Sequence, residues 1–103
     1  MKIYLFCSAG MSTSLLVTKM QKAAEEQGIN CYIEAFAESK ATALGPDADV
    51  VLLGPQIRFR LKAVQEALPT KPVMVINMQD YGMVNGAGVL KAALDLYEEH
   101  NKG

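Results

Sequence analysis

Cys7 is followed by Ser8, Gly10, Ser12, Thr13 and Ser14 in the run F-C-S-A-G-M-S-T-S, which sets a thiol at the head of a hydroxyl-rich segment. That pattern suits nucleophilic chemistry on an anion. The hydroxyls of Ser8, Ser12, Thr13 and Ser14 are donors, and Gly10 lets the backbone approach a ligand closely. If a helix begins here, its first turn adds N–H groups without intrahelical partners and the positive end of a dipole, which together suit a phosphate. The same environment favours the thiolate, the reactive form of cysteine. No charged residue occurs from Ile3 to Thr18, so backbone dipoles must supply that stabilisation. The bland alternative is a buried, inert cysteine closing a strand. The turn that follows Cys7 favours the nucleophile.

The elements around Cys7 are expected to place it at a sheet edge. Ile3-Tyr4-Leu5-Phe6 is a short apolar run of strand formers, and Leu16, Met20, Ala23 and Ala24 recur at helical spacing beyond it. A helix is predicted from about Thr13 to Gln27, stopped by Gly28. Strand-like alternation follows over Asn30 to Phe36, then a short helix over Glu38 to Leu44 closed by Gly45-Pro46. Asp49 to Leu53 reads as a strand covered on both faces. Gly54-Pro55-Gln56 forms a second turn before a helical stripe of Ile57, Leu61, Val64 and Leu68. Pro69 and Pro72 end that helix and admit a strand from Val73 to Ile76. Asn77 to Val84 is expected to be a loop holding Asp80, Tyr81 and Gly82. Val89, Leu90, Ala93, Leu94 and Tyr97 mark a last helix, with a frayed tail because Glu98 and Glu99 oppose its dipole.

Strands alternating with helices through short connections predict an α/β domain with right-handed crossovers and a single open four-stranded parallel sheet, helices on both faces. A flavodoxin-like order of 2-1-3-4 puts a switch point between the first and third strands. Ligands bind at such points, and Cys7 would stand there with Gly54-Pro55-Gln56 opposite.

Composition narrows the partners. The chain has 103 residues, 50% hydrophobic and 20% charged, as expected for one ordinary globular domain spanning residues 1–103. A net charge of -1 gives no basic footprint for nucleic acid. No apolar run approaches the roughly 20 residues needed to span a bilayer, so no direct membrane insertion and a cytoplasmic location are expected. In a reducing compartment Cys7 and Cys31 are not expected to pair, and their separation fits no metal or redox signature. Cys31 reads as a small core residue and His100 as a solvated one. No metal or cofactor is expected.

The runs I-Y-L-F-C-S-A-G-M-S-T-S-L-L-V and A-D-V-V-L-L-G-P-Q-I, then Y-G before the last helix and G-V-L-K-A-A within it, together resemble the IIB component of bacterial phosphoenolpyruvate-dependent sugar phosphotransferase systems. More narrowly they resemble the lactose/cellobiose family, which includes components for diacetylchitobiose. The resemblance implies a phosphoryl carrier whose Cys7 accepts phosphate from a phosphohistidine of a phosphorylated IIA protein. It then passes that phosphate to a sugar bound by the membrane IIC permease. It also implies that Ser8, Ala9, Gly10, Met11, Ser12, Thr13 and Ser14 form the phosphate-binding loop, with the protein peripheral to the membrane through IIC.

Two rivals belong to other classes. A low-molecular-weight tyrosine phosphatase or arsenate reductase also carries a cysteine loop after its first strand. The phosphatase pattern needs an arginine six residues after the cysteine, and Thr13 stands there. Losing that guanidinium removes the clamp favouring attack by water on phosphocysteine, which suits a carrier. Asp80 is the tempting general acid, though a capping role explains it as well. Cys31 is badly placed to resolve an arsenate adduct. A noncatalytic anion-binding module is the third reading, but the chain lacks the glycine-rich nucleotide motifs. Arg58 and Arg60 could greet an acidic partner or line a solvated helix face. Tyr81 and Gly82 could border the site, and an exposed Met11 is expected to touch a partner.

Overall fold

Alternation along Ile3-Tyr4-Leu5-Phe6 sends side chains to opposite faces of one sheet, and two separate cores form on them. The computed structural model describes residues 1–8 and 10–102, apart from the side chains of residues 10–12. Strand β1 (Lys2–Cys7) is central. It pairs in parallel with β2 (Tyr32–Ala37) from Lys2 opposite Tyr32 to Cys7 opposite Ala37. On its other side it pairs with β3 (Val50–Leu53), from Ile3 opposite Val50 to Phe6 opposite Leu53. Strand β4 (Val73–Val75) lies outside β3. The order is 2-1-3-4, all parallel, as expected from the alternating pattern.

Helices α1 (Gly10–Glu26) and α5 (Gly86–Lys102) cover one face. There Leu16, Met20, Val89, Leu90 and Ala93 pack with Ile3, Leu5, Ile33, Val50 and Leu52. The opposite face joins Tyr4, Phe6, Val51, Leu53 and Val73 to Ala41 of α2 (Ala41–Leu44) and Val64 of α3 (Leu61–Ala67). Helix α5 meets α1 closely at Gly86, where an added β-carbon would lie 2.4 Å from the Lys19 carbonyl carbon and 2.6 Å from the Met20 nitrogen. The absent side chain permits that crossing.

Several boundaries differ from the sequence expectation. Helix α1 starts at Gly10 rather than near Thr13, so residues 10–12 form its first turn instead of preceding it. The segment after β2 is a 3-10 turn (Glu38–Lys40), then α2, then another 3-10 turn (Gly45–Asp47). Pro55–Arg60 is 3-10 with a break at Ile57, and regular helix begins only at Leu61. The loop expected over 77–84 contains a short helix, α4 (Met78–Gly82). Its cause is local: the Asn77 side-chain oxygen accepts from the N–H groups of Gln79 and Asp80 at 2.9 and 3.1 Å, an N-cap. Helix α5 runs to Lys102, through the segment where fraying is expected. His100 contributes by donating from Nε2 to the Thr70 carbonyl at 3.0 Å.

Candidate active site at the carboxyl edge

Cys7 is the last residue of the central strand, and α1 begins three residues later. A turn this short aims the amino end of α1 at the carboxyl edge of the sheet. The amides of its first turn have no intrahelical acceptor, whereas the Ser14 amide falls within the helical ladder. Ser8 is exposed beside Cys7. Ala9, and the side chains of Met11 and Ser12, lie outside the described residues.

Thr13 is fully buried, and its hydroxyl oxygen lies 3.1 Å from the Cys7 sulfur. Cys7 is buried as well, at 1% exposure, so the pair is shielded from bulk water. A hydroxyl there can donate to a thiolate, and such a charge-assisted bond is stronger than a neutral one. The position that a phosphatase fills with arginine thus holds a neutral hydroxyl in hydrogen-bond contact with sulfur. Ser14 is exposed, and its carbonyl accepts from the Thr18 hydroxyl at 3.1 Å.

The other flank of Cys7 is the turn after β3. Gly54 donates its N–H to the Phe6 carbonyl at 2.9 Å, holding this turn against β1. A β-carbon on Gly54 would lie 3.0 Å from the Cys7 β-carbon and 2.9 Å from Gln56 Oε1. Glycine is needed there for close approach, since its φ of -62° is ordinary. Sequence reasoning singled out the turn opposite Cys7 but missed Gln56 as the side chain folded back over it. The Gly-Pro pair directly after an apolar strand was the available signal.

Arg58 is exposed and donates to the Pro55 carbonyl at 3.2 Å, while Arg60 is exposed on the same segment. Asp80 belongs to a capping cluster: its carboxylate accepts from the Asn85 amide at 3.1 Å, and its carbonyl accepts from the Asn85 N–H at 2.8 Å. Its contacts are those of a corner between α4 and α5. Val84 occupies that corner at a φ of 53°, a left-handed conformation rare for a β-branched residue. Tyr81 is half-buried and packs against the core beneath α1 and α5. With Pro55, Gln56, Arg58, Met78 and Gly82 it lines an open depression of about 270 Å³.

Two larger depressions lie away from this edge, one of about 440 Å³ beside Lys71 and His100 and one of about 660 Å³ beside Gln27 and Lys91. Neither includes a residue of the Cys7 turn. Cys31 lies just before β2, at the opposite end of the sheet from Cys7, and the two are not disulfide-bonded. It is partly buried against the core, and that burial pushes its thiol pKa up. Among the described residues, no three His, Cys, Asp or Glu side chains converge as a metal site, and no helix is long and apolar enough to cross a membrane.

An open parallel α/β sheet with a cysteine at its switch point, ahead of a helix amino terminus, defines a doubly wound domain with a thiol where such folds place their ligand sites. The family described as "PTS system, Lactose/Cellobiose specific IIB subunit" matches residues 2–92, and the chain belongs to it. It is 48% identical over 103 residues to the galactose-specific EIIB component of Lactococcus lactis subsp. cremoris, covering 91% of this chain and 94% of that one. The cellobiose-specific EIIB component of Lactococcus lactis subsp. lactis is likewise 48% identical, with the same coverage. The oligo-beta-mannoside-specific EIIB component of Bacillus subtilis is 42% identical over 97 residues, covering 92% of this chain and 94% of that one.

The solution structure of a cellobiose-specific phosphotransferase IIB component from Borrelia burgdorferi superposes with a TM-score of 0.81 at 42% identity, covering 97% of this chain and 94% of that one. The lactose-specific IIB domain from Streptococcus pneumoniae shares the fold at a TM-score of 0.79 and 17% identity, with 94% and 97% covered. IIB components of this system act as phosphotransferases and work with IIA and membrane IIC partners.

Proposed function

We propose that Cys7 carries a phosphoryl group between a IIA protein and a sugar held by a membrane IIC permease. The Cys7 thiolate attacks the phosphorus of a IIA phosphohistidine; the S–P bond forms as the N–P bond breaks and the imidazole leaves. A sugar hydroxyl then attacks phosphorus; the O–P bond forms as the S–P bond breaks, Cys7 departs as thiolate, and the hydroxyl proton leaves to water or to a base of the IIC site. Phosphoryl transfer asks chiefly for in-line positioning and for donors around the equatorial oxygens. In this reading the first-turn amides of α1 provide those donors, helped by hydroxyls of the segment from Ser8 to Ser14.

The observation that carries this reading is the 3.1 Å contact between the buried Cys7 sulfur and the Thr13 hydroxyl at the switch point. A phosphatase would need a guanidinium to hold phosphate for attack by water, and Thr13 offers none. The sugar is of the cellobiose, chitobiose or lactose type, in line with the family match. IIA and IIC use one overlapping face, because each must reach the same sulfur. Met78, 63% exposed beside Gln56, and the exposed Phe59 give that face apolar contacts. The protein works on the cytoplasmic side, peripheral to the membrane through IIC, without a cofactor of its own.

The test is intact mass after incubation with phosphoenolpyruvate, the general phosphotransferase proteins and a cognate IIA, comparing wild type with Cys7→Ser. A single phosphoryl adduct mapped to Cys7, missing from the variant, is the expected result. No adduct with an active donor, together with hydrolysis of an aryl phosphate, would replace the carrier reading by the phosphatase one.

A further inference from the structure

We infer that the basic and aromatic flank Arg58-Phe59-Arg60, with Lys62, docks the phosphorylated IIA donor, while the neutral flank at the start of α1 faces the permease; this rests on the carrier reading above. The carboxyl edge around Cys7 is uneven in charge. From Gly54 to Gln65 every charged residue is a cation, namely Arg58, Arg60 and Lys62. All three are exposed, and Phe59 between the arginines is 75% exposed. Among the described residues the one ion pair joins Lys91 to Asp95, so none of the three cations is held by a carboxylate. The flank starts against the thiol strand, where the Gly54 N–H donates to the Phe6 carbonyl at 2.9 Å. The 3-10 segment Pro55–Arg60 that follows is roughly 12 Å long at about 2 Å per residue. That is close to the screening length of about 10 Å in 0.1 M salt, so these charges act on a group approaching the sulfur.

The opposite flank is almost without charge. No charged residue occurs from Ile3 to Thr18, and from Pro72 to Leu90 Asp80 stands alone, its carboxylate bonded to the Asn85 amide at 3.1 Å. The exposed Leu15 and Met83 give this side an apolar surface. Helix α5 crosses α1 at Gly86, just past Met83, so both residues belong to one side of the edge. After β2, Glu38 and Lys40 offset each other in charge.

The two partners bring different charges to this edge. A phosphorylated donor arrives with an anionic phosphoryl group, whereas the acceptor is an uncharged sugar. Cytoplasmic loops of membrane proteins carry an excess of Lys and Arg, which would repel Arg58, Arg60 and Lys62. Acidic side chains around the donor's phosphohistidine would attract them. Charges at the rim of an interface set the association rate and its salt dependence more than the stability of the complex. The basic flank therefore selects the loaded donor, with Phe59 as its apolar contact. The neutral flank lets the carrier approach a basic permease surface without repulsion. The two docked poses share the sulfur and lean to opposite sides of it.

The experiment measures the two encounters separately in the full chain. Wild type, the pair Arg60→Glu with Lys62→Glu, and the neutral pair Arg60→Gln with Lys62→Gln are loaded from limiting phosphorylated IIA, and the second-order rate is followed by rapid-quench intact mass. Each loaded form is then discharged on limiting membrane vesicles containing the cognate IIC, with a panel of β-glucosides, β-galactosides and β-mannosides. Vesicles of the same anionic lipid without IIC serve as a binding control. Charge reversal is expected to slow loading roughly tenfold in about 0.05 M salt, with the gap closing to about twofold in about 0.5 M. The neutral pair should fall between, and discharge of both variants should stay within about twofold of wild type. Slower discharge with unchanged loading would assign the flank to the permease, and lost binding to the permease-free vesicles would assign it to lipid. Either result, an equal loss in both steps, a loss insensitive to salt, or no loss at all would overturn this inference while leaving the carrier reading intact. Failure of wild type to load from an active donor would overturn both.

Discussion

Thr13 Oγ1 and Cys7 Sγ lie 3.1 Å apart with both residues buried, one at the end of β1 and one in the first turns of α1. The contact couples strand and helix at the point of reaction. A hydroxyl donating to sulfur stabilises negative charge there, whether the thiolate is attacking or leaving. Thr13→Val keeps the shape and removes the donor, and loading from IIA is expected to fall roughly tenfold or more, the weight of a hydrogen bond to a charged group. Thr13→Ser should retain most of the rate. Equal loading rates for wild type and Thr13→Val, measured by rapid-quench mass spectrometry, would sink this role.

Gly54→Ala tests the other flank. Its backbone angles suit alanine, but the new β-carbon would sit 3.0 Å from that of Cys7 and 2.9 Å from the Gln56 oxygen. Crowding of this kind costs about 1–3 kcal/mol. The fold should survive, with urea denaturation placing the loss in that range, while loading drops because Cys7 is displaced. Wild-type loading in a folded Gly54→Ala protein would show that the close approach is unimportant.

Gly86→Ala should act on stability. Its β-carbon would meet backbone atoms of Lys19 and Met20 at 2.4 to 2.6 Å, so α5 must lift from α1. A loss of about 3 kcal/mol is expected, or roughly 10–20 °C in melting temperature for a domain of this size. Calorimetry showing a shift of only a degree or two would contradict the packing described.

The alkaline limb of the stability profile has two identified contributors. Tyr32 donates its hydroxyl to Glu34, and that hydrogen bond and the carboxylate's charge push its pKa up from 10.0. Lys91 is paired with Asp95 at 2.9 Å, which pushes its pKa up from 10.5. Both groups are held protonated by folding, so their contributions are complete below the unfolded pKa values and are lost as pH rises through the folded ones. Both are exposed, so the effect is small. The urea midpoint should decline above about pH 10, and Tyr32→Phe with Asp95→Asn should flatten the decline. An unchanged slope in the double variant would exclude these pairs as its source.

Much of the fold could be read from residues one strand at a time. Ile3 to Phe6 and Val50 to Leu53 carry unbroken apolar side chains because both faces of the central strands are covered. The alternating connections then gave the parallel order, and Cys7 followed as the switch-point residue. Helix α4 was less legible, since its five residues carry no hydrophobic period; only Asn77 with Asp80 three residues on marked a cap. The start of α1 at Gly10 was hidden for a related reason. Ser12, Thr13 and Ser14 are all good caps, and sequence alone does not say that the turn after Cys7 is so short. The Cys7–Thr13 contact of 3.1 Å spans only six residues, whereas the close approach of Gly54 to Cys7 joins segments more than 40 residues apart, a distance that no local pattern encodes.

The β1–β2 ladder extends to Cys7 opposite Ala37, so the proposed phosphoryl group is fixed to the middle strand rather than to a swinging arm. Buried central strands open only in events near the global unfolding free energy, and such events are rare. Amide exchange at Leu5 and Phe6 should therefore be among the slowest in the molecule, far slower than any useful turnover. The handover between donor and acceptor is then a change of docked partner around a stationary sulfur, with its speed set by association and release.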